Sequence, residues 1–355
     1  MPALPGLQDL PPWAAHLCLR VESFLTGVFP DTLDGRPMVL AVSGGLDSIA
    51  LAVIFQALSK RLGCSLTIAH IDHGLRVESG QDAVFVDGFC SEAGLPCQSV
   101  RRDVRALAQA WKTGIEDAGR RARYDWLEEV RQQRNAACVV TAHHLDDLAE
   151  DQLLRLIRGA GWPALGGMRA WDGARRVLRP LLMTRKAELR RLLEELGLLW
   201  REDASNQDPA YARNRVRADI LPLLTRENSD YLGAAAELWR QARLDEIHWN
   251  DVMLGVSISP SGDGEPLFLP DATLRASSQA LRLRLYKRAV DAAGPGQALA
   301  GQLHNLDEAW RKRLTGKTIQ FPGGKEARVE RDGISFAASL PSNSPISVDT
   351  GLPRR

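Results

Sequence analysis

With 355 residues, 45% of them hydrophobic and 25% charged, the chain has the composition of an ordinary globular protein, not of a disordered or fibrous one. At about 150 residues per domain, that length points to two domains. The formal net charge of +1 advertises no polyanionic partner, yet the stretch from Arg175 to Arg217 holds eleven Lys or Arg against six Asp or Glu and is suited to facing phosphate.

No apolar run reaches the ~18 residues of a membrane span, and the N-terminus lacks the charged-then-apolar order of a signal peptide. The expectation is a cytoplasmic protein without a membrane partner. Five cysteines without a C-x-x-C pair read as reduced, buried thiols, not as a disulfide framework or a zinc ribbon.

Residues 1–36 read as an N-terminal helical extension, and residues 37–224 as the first domain. "PMVLAVS" is a short apolar strand, and "IALAVIFQALSKRLG" a helix ending at Gly63. The alternation repeats: "CSLTIAHID" as strand, "SGQDAVFVDGFCSEAG" as helix with Ser79 as N-cap, "PCQSVRRDV" as strand and "GIEDAGRRARYDWLEEVRQQRN" as helix. "ACVVTAHH" and "LDDLAEDQLLRLIRG" are a fourth strand and helix, followed by the apolar run "RVLRPLLM" and the helix "RKAELRRLLEELG". This pattern predicts an α/β fold, a doubly wound parallel sheet with helices on both faces. Residues 225–338 read as a second, mainly helical domain closed by a hairpin at "FPGG", and residues 339–355 as a disordered tail.

In an open parallel sheet, ligands bind outside the carboxyl ends of the strands. Three polar clusters fall on that edge: "SGGLDS" after the first strand, "HIDHGLR" after the second and "TAHHLDDLAED" after the fourth. Gly44 and Gly45 let the backbone turn tightly, so that the N–H groups of Gly45, Leu46 and the helix start converge on an anion. Ser43 and Ser48 add hydroxyl donors. Asp47 beside an anion calls for a cation such as Mg²⁺ between them.

The bland reading of this hexamer is a serine-capped helix after a glycine turn. His70, Asp72, His73, His143, His144, Asp146 and Asp147 contain enough ligand types for a two-metal phosphohydrolase, or they cap strand ends. Asp147 and Glu150, three apart on a helix, share a face on which one Mg²⁺ can sit. Glu116, Arg120 and Arg123 share another, either as a solvated i,i+4 face worth ~0.3–0.5 kcal/mol per pair or as a cationic wall for departing pyrophosphate. "EDASNQDPAYARNRVR" offers Asn206 and Asp208 as turn formers and Arg213, Arg215 and Arg217 as a solvated run, or else a grip on RNA phosphates and sugars by Asn206, Arg213, Asn214 and Arg217. The densest basic segment of the second domain is "RKRLTGK", with Arg311, Lys312 and Arg313.

"SGGLDS" resembles the PP-loop of the N-type ATP pyrophosphatases, a family with the adenine nucleotide alpha hydrolase-like fold. "SGGLDS", "HIDHGLR", "GIEDAGRRARY", "TAHHLDDLAED", "RPLL" and "EDASNQDPAYARNRVR" occur in the order and spacing of the tRNA(Ile)-lysidine synthetase family. The resemblance implies a ligase that uses ATP, Mg²⁺ and free L-lysine to turn the wobble cytidine of a CAU-anticodon tRNA-Ile into lysidine, through an adenylated cytidine, releasing AMP and pyrophosphate. It implies ATP binding by Ser43 to Ser48, His70, Arg76 and His143, catalysis by Asp47, Arg120, Arg123, Asp147 and Glu150, and metal binding by Asp47, Asp147 and Glu150. A homodimer is left open. Two departures stand out: Asp151 replaces the family's usual Thr, and the region beyond the second domain is short for a third domain. A PP-loop thiolase is the alternative of the same fold, against which the cysteine placement argues.

Overall fold

The structure, a computed structural model, describes residues 4–29, 35–75, 79–202, 211–256, 259–260, 266–296 and 298–338. Two compact units divide the chain, Met1–Arg243 and Leu244–Arg355.

The first unit is built on a six-stranded sheet of order β3-β2-β1-β4-β6-β5. Its strands are β1 (Met38–Ala41), β2 (Leu66–Asp72), β3 (Cys97–Arg101), β4 (Cys138–Val140), β5 (Trp171–Asp172) and β6 (Val177–Leu178). All pairings are parallel except that of the edge strand β5 with β6. β1 is central and apolar on both faces because helices cover both, as expected of a parallel sheet. Met38 and Leu40 face a core that α1 (Pro12–Val28), α2 (Leu46–Leu62), α3 (Ser79–Ala93) and α7 (Lys186–Glu195) complete. Val39 faces Leu127 and Val130 of α5 (Ile115–Gln133). Each fully buried Leu, Ile or Phe there contributes about 1.5–3 kcal/mol.

α2 follows β1 and ends at Gly63, whose φ of +60° allows the left-handed C-cap. α4 (Val104–Trp111) precedes α5, and α6 (Leu145–Ile157) follows β4. The short α8 (Ala212–Arg215) runs through a π-helical turn, Val216–Ile220, into α9 (Leu221–Glu227). The helical expectations thus hold, and α4 is an element that the pattern missed because it is a single eight-residue amphipathic segment.

α10 (Tyr231–Leu254) crosses from one unit into the other. In the second unit α11 (Asp271–Ala276), α12 (Gln279–Ala292) and α13 (Ala300–Arg311) share a core with a five-stranded antiparallel sheet, β7-β8-β11-β10-β9. β7 is Ser259–Pro260, β8 Leu267–Pro270, β9 Thr318–Phe321, β10 Lys325–Val329 and β11 Gly333–Ala338. The Pro-Gly-Gly turn joins β9 to β10, and Gly323, at φ +85°, has the Pro295 carbonyl where a Cβ would stand. Lys325 is buried, and its Nζ donates to the Gly294 and Gly296 carbonyls at 3.1 and 2.6 Å. No helix among the described residues is long and apolar enough to cross a membrane.

Candidate active site

The sheet order reverses between β1 and β4, and a cleft of about 700 Å³ opens there at the carboxyl ends of the strands. The segment after β1 forms its phosphate-facing edge. Gly44, at φ +91°, has Phe85 and Val86 side-chain atoms 3.3 and 3.2 Å from where a Cβ would be, so both the turn and the packing require glycine. Gly45 caps α2 without a side-chain bond, which leaves the first N–H groups of the helix open to an anion. Ser43 N–H donates to Ser48 Oγ at 3.2 Å, and Ser48 Oγ donates to the Gly45 carbonyl at 2.9 Å, fixing the loop.

Opposite stands the start of α6. His144 is buried among Asp47 (3.4 Å), Asp147 (3.5 Å) and Asp146 (3.6 Å). Burial alone would lower its pKa, but Asp147 first, then Asp146 and Asp47, push it up to about 10. Its neighbour His143 goes the other way. Burial above all, with Arg179, Arg123 and Arg213 nearby, outweighs the pull of Asp147 and takes it down to about 3. Two adjacent histidines therefore carry different charges at neutral pH.

Asp147 and Glu150 share a helical face, as their spacing predicts, and Arg217 bridges them: Nε to Glu150 Oε1 at 2.6 Å, Nη2 to Glu150 Oε2 at 3.0 Å and Nη2 to Asp147 Oδ1 at 3.4 Å. Burial lifts the Glu150 carboxyl above its ordinary pKa, with Arg217 opposing. Arg213 Nε lies 3.6 Å from the same carboxylate. Lys186 Nζ reaches to 3.6 Å from Asp47 Oδ2.

A hard divalent cation takes oxygen ligands, and the donors here fit one. Asp47 Oδ1 is buried without a hydrogen bond, close to the Asp147 carboxylate through their shared neighbour His144. The histidines are otherwise engaged: His70 Nδ1 meets the Val42 carbonyl at 2.9 Å and His143 Nδ1 the Thr141 hydroxyl at 2.9 Å. Among the described residues, no group of three or more His, Cys, Asp or Glu is arranged to hold a metal by itself.

Of the residues singled out from sequence, Ser43, Gly45 to Ser48, His70, Arg120, Arg123, His143, Asp147, Arg213, Asn214 and Arg217 line the cleft. Gly44 shapes the loop, and Glu150 lies beneath it, bonded to Arg217. Glu116 is exposed in the first turn of α5, outside the lining, and Arg120 forms no ion pair with it. Arg311, Lys312 and Arg313 are exposed where α13 ends in the second unit, with Lys312 Nζ 2.6 Å from Glu308. Arg76, Asn206 and Asp208 lie outside the described residues. Asp151 turns away from the cleft and pairs with Arg155 at 2.7 Å.

The sequence reading missed Tyr124, Lys186, Arg190, Trp200 and Arg201, which also line the cleft. Lys186 had a signal: a lysine in the first helical turn opposes the helix dipole and needs another reason to be there. All five cysteines are free, and none lines the cleft.

A PP-loop domain profile matches residues 19–224. The tRNA(Ile)-lysidine synthase of Nitratidesulfovibrio vulgaris is 44% identical over 321 residues, 86% of this chain and 92% of its own. That of Geobacter sulfurreducens is 39% identical over 332 residues, 89% of this chain and 68% of its own. Among solved structures, the U34-tRNA thiolase NcsA from Methanococcus maripaludis, with its [4Fe-4S] cluster, aligns with a TM-score of 0.54 at 18% identity, over 70% of this chain and 81% of its own. That likeness is one of fold alone. Kinship along most of the length and a PP-loop at the sheet's switch point lead to one conclusion: the chain belongs to the tRNA(Ile)-lysidine synthase family of PP-loop ligases.

Proposed function

We propose that this enzyme adenylates the C2 oxygen of the wobble cytidine in a CAU-anticodon tRNA-Ile and then joins free L-lysine at C2. In the first step the C2 oxygen attacks the α-phosphorus of ATP, and pyrophosphate leaves. In the second the lysine side-chain amine attacks C2, the C2–O bond breaks, AMP departs with the oxygen, and the nitrogen loses a proton. The observation that carries this reading is the uncapped N-terminus of α2 in the cleft, with the buried, unbonded Oδ1 of Asp47 in that same first turn.

The N–H groups at the start of α2 hold phosphate oxygens. Asp47 and Asp147 would hold Mg²⁺, which supplies charge neutralisation at the phosphates when bound. Arg120 and Arg123 line the cleft without a carboxylate partner among the described residues, and we assign them to the charge developing on pyrophosphate. Asp147 orients the substrate ammonium, Glu150 holds Arg217 in place from beneath the cleft, and Arg213, Asn214 and Arg217 face the RNA sugar-phosphate. The exposed Arg311, Lys312 and Arg313 belong to a grip on the tRNA body.

Incubation with ATP, Mg²⁺, labelled lysine and total bacterial tRNA tests the reading. Label entering RNA with matching AMP release is expected, whereas metal-dependent phosphate release without lysine would favour a hydrolase. Asp47→Ala should abolish tRNA-dependent ATP–pyrophosphate exchange in a folded protein, and near-normal exchange would remove Asp47 from the chemistry.

A further inference from the structure

Arginines stack on aromatic rings throughout the described residues, and several of these arginines have an acidic partner within 4 Å. Arg102 over Trp126 has Glu129 at 3.6 Å, and Arg121 over Trp111 has Asp125 at 3.8 Å. Arg190 over Trp200 has Glu194 at 3.9 Å, and Arg191 over Trp13 has Glu195 at 2.7 Å. Tyr124 differs in the number of cations around it. Three guanidiniums surround Tyr124: Arg120 at 5.3 Å, Arg123 at 6.0 Å and Arg175 at 5.3 Å from the ring centroid. Neither Arg120 nor Arg123 meets a carboxylate among the described residues, and the three guanidiniums share one, Asp172, 4.0 Å from Arg175.

The three come from two places in the fold. Arg120 and Arg123 lie on α5, while Arg175 lies in the turn between β5 and β6, at the far edge of the sheet. A ring face attracts a cation, but three like charges around one ring repel, and only solvent screening or an anion relieves that. Arg120, Arg123 and Tyr124 line the cleft, whereas Arg175 does not, and its side chain is 55% exposed. The cationic surface thus runs from the reacting centre outward onto the hairpin. ATP phosphates at the α2 N-terminus account for its inner end but not for Arg175.

We propose that Arg120, Tyr124 and Arg175 form a docking surface for the single-stranded RNA backbone next to the reacting nucleotide, with Arg175 as its outer phosphate contact. The inference rests on the reading of the chain as a tRNA-modifying enzyme and adds where the RNA backbone lies. Phosphate contacts position without reading sequence, so this surface sets the approach of the target base and not its identity. Arginine is suited to both tasks, as its planar group forks onto phosphate and lies against an aromatic ring.

The test is tRNA binding to the full chain at a series of salt concentrations, beside ATP binding without RNA. Arg175→Ala should weaken tRNA binding about three- to tenfold and lower the log–log salt slope by about 0.7, one single-strand phosphate contact. Arg175→Glu should weaken binding further, and Arg175→Lys should restore the slope. ATP affinity should stay within twofold in all three, and with Arg175→Ala the KM for tRNA should rise while kcat holds. If wild-type protein modifies tRNA but Arg175→Glu, folded as judged by Tm, keeps affinity and slope, the docking surface is overturned and the enzyme reading stands. Wild-type protein that binds no tRNA overturns both.

Discussion

In each unit an arginine forks onto a buried carboxylate, and the two forks are finished differently. In the second unit Arg282 grips Asp307 at 2.7 and 3.1 Å, and both carboxylate oxygens take further bonds, from Tyr286 at 3.3 Å and Gln279 at 3.2 Å. Arg282 also donates to the Ser277 carbonyl at 2.8 Å and lies over Trp310. Next to this fork lies an apolar core. In the first unit Arg217 grips Glu150 just as closely, but three aspartates crowd nearby, and Asp47 Oδ1 and Arg213 Nε stay without hydrogen bonds. Buried polar groups are ordinarily satisfied, and removing one partner leaves the full desolvation penalty. A saturated fork is a structural joint, while a fork beside orphaned atoms is waiting for a ligand.

The largest effect expected from this difference is on stability. Asp307→Ala should cost about 3–5 kcal/mol, because it strands a buried guanidinium, and urea unfolding should show the loss with ATP binding intact. Glu150→Gln should cost only about 1 kcal/mol, since the amide oxygen can still accept from Arg217, which is 32% exposed and keeps Asp147, yet it should slow lysine transfer by loosening Arg217. Equal stability losses in the two variants would erase the distinction.

Next is Arg120→Ala, where about 2–4 kcal/mol of transition-state stabilisation should disappear, a rate loss of roughly 30- to 1,000-fold, with stability unchanged. A loss below tenfold would return this face of α5 to solvation.

The smallest effect is one of pH on the ligand-free protein. The His144 pKa is raised to about 10 in the folded state from an ordinary value near 6.5, so its contribution is fully present below about 6.5 and is lost as pH rises toward 10. Tm should fall by a few degrees between pH 7 and 10, and His144→Asn should flatten that slope. The same slope in the variant would show that His144 is not the group responsible.

How much was legible in the sequence follows from the range of the interactions. Strand, turn and helix alternation, the glycine turn at Gly44 and the i,i+3 pairing of Asp147 with Glu150 all arise within a few residues, and the structure has each of them. So does the ordering of polar clusters along one sheet edge, since parallel strands point their carboxyl ends the same way. Tertiary structure alone decided which carboxylates meet which cations: Arg217 reaches Glu150 across 67 residues, and Arg175 reaches Tyr124 from another edge of the sheet. It alone split His143 from His144, two identical side chains whose protonation depends on neighbours that no local pattern names. Short-range geometry is written in residue spacing, whereas burial and Coulomb pairing depend on the folded path of the whole chain.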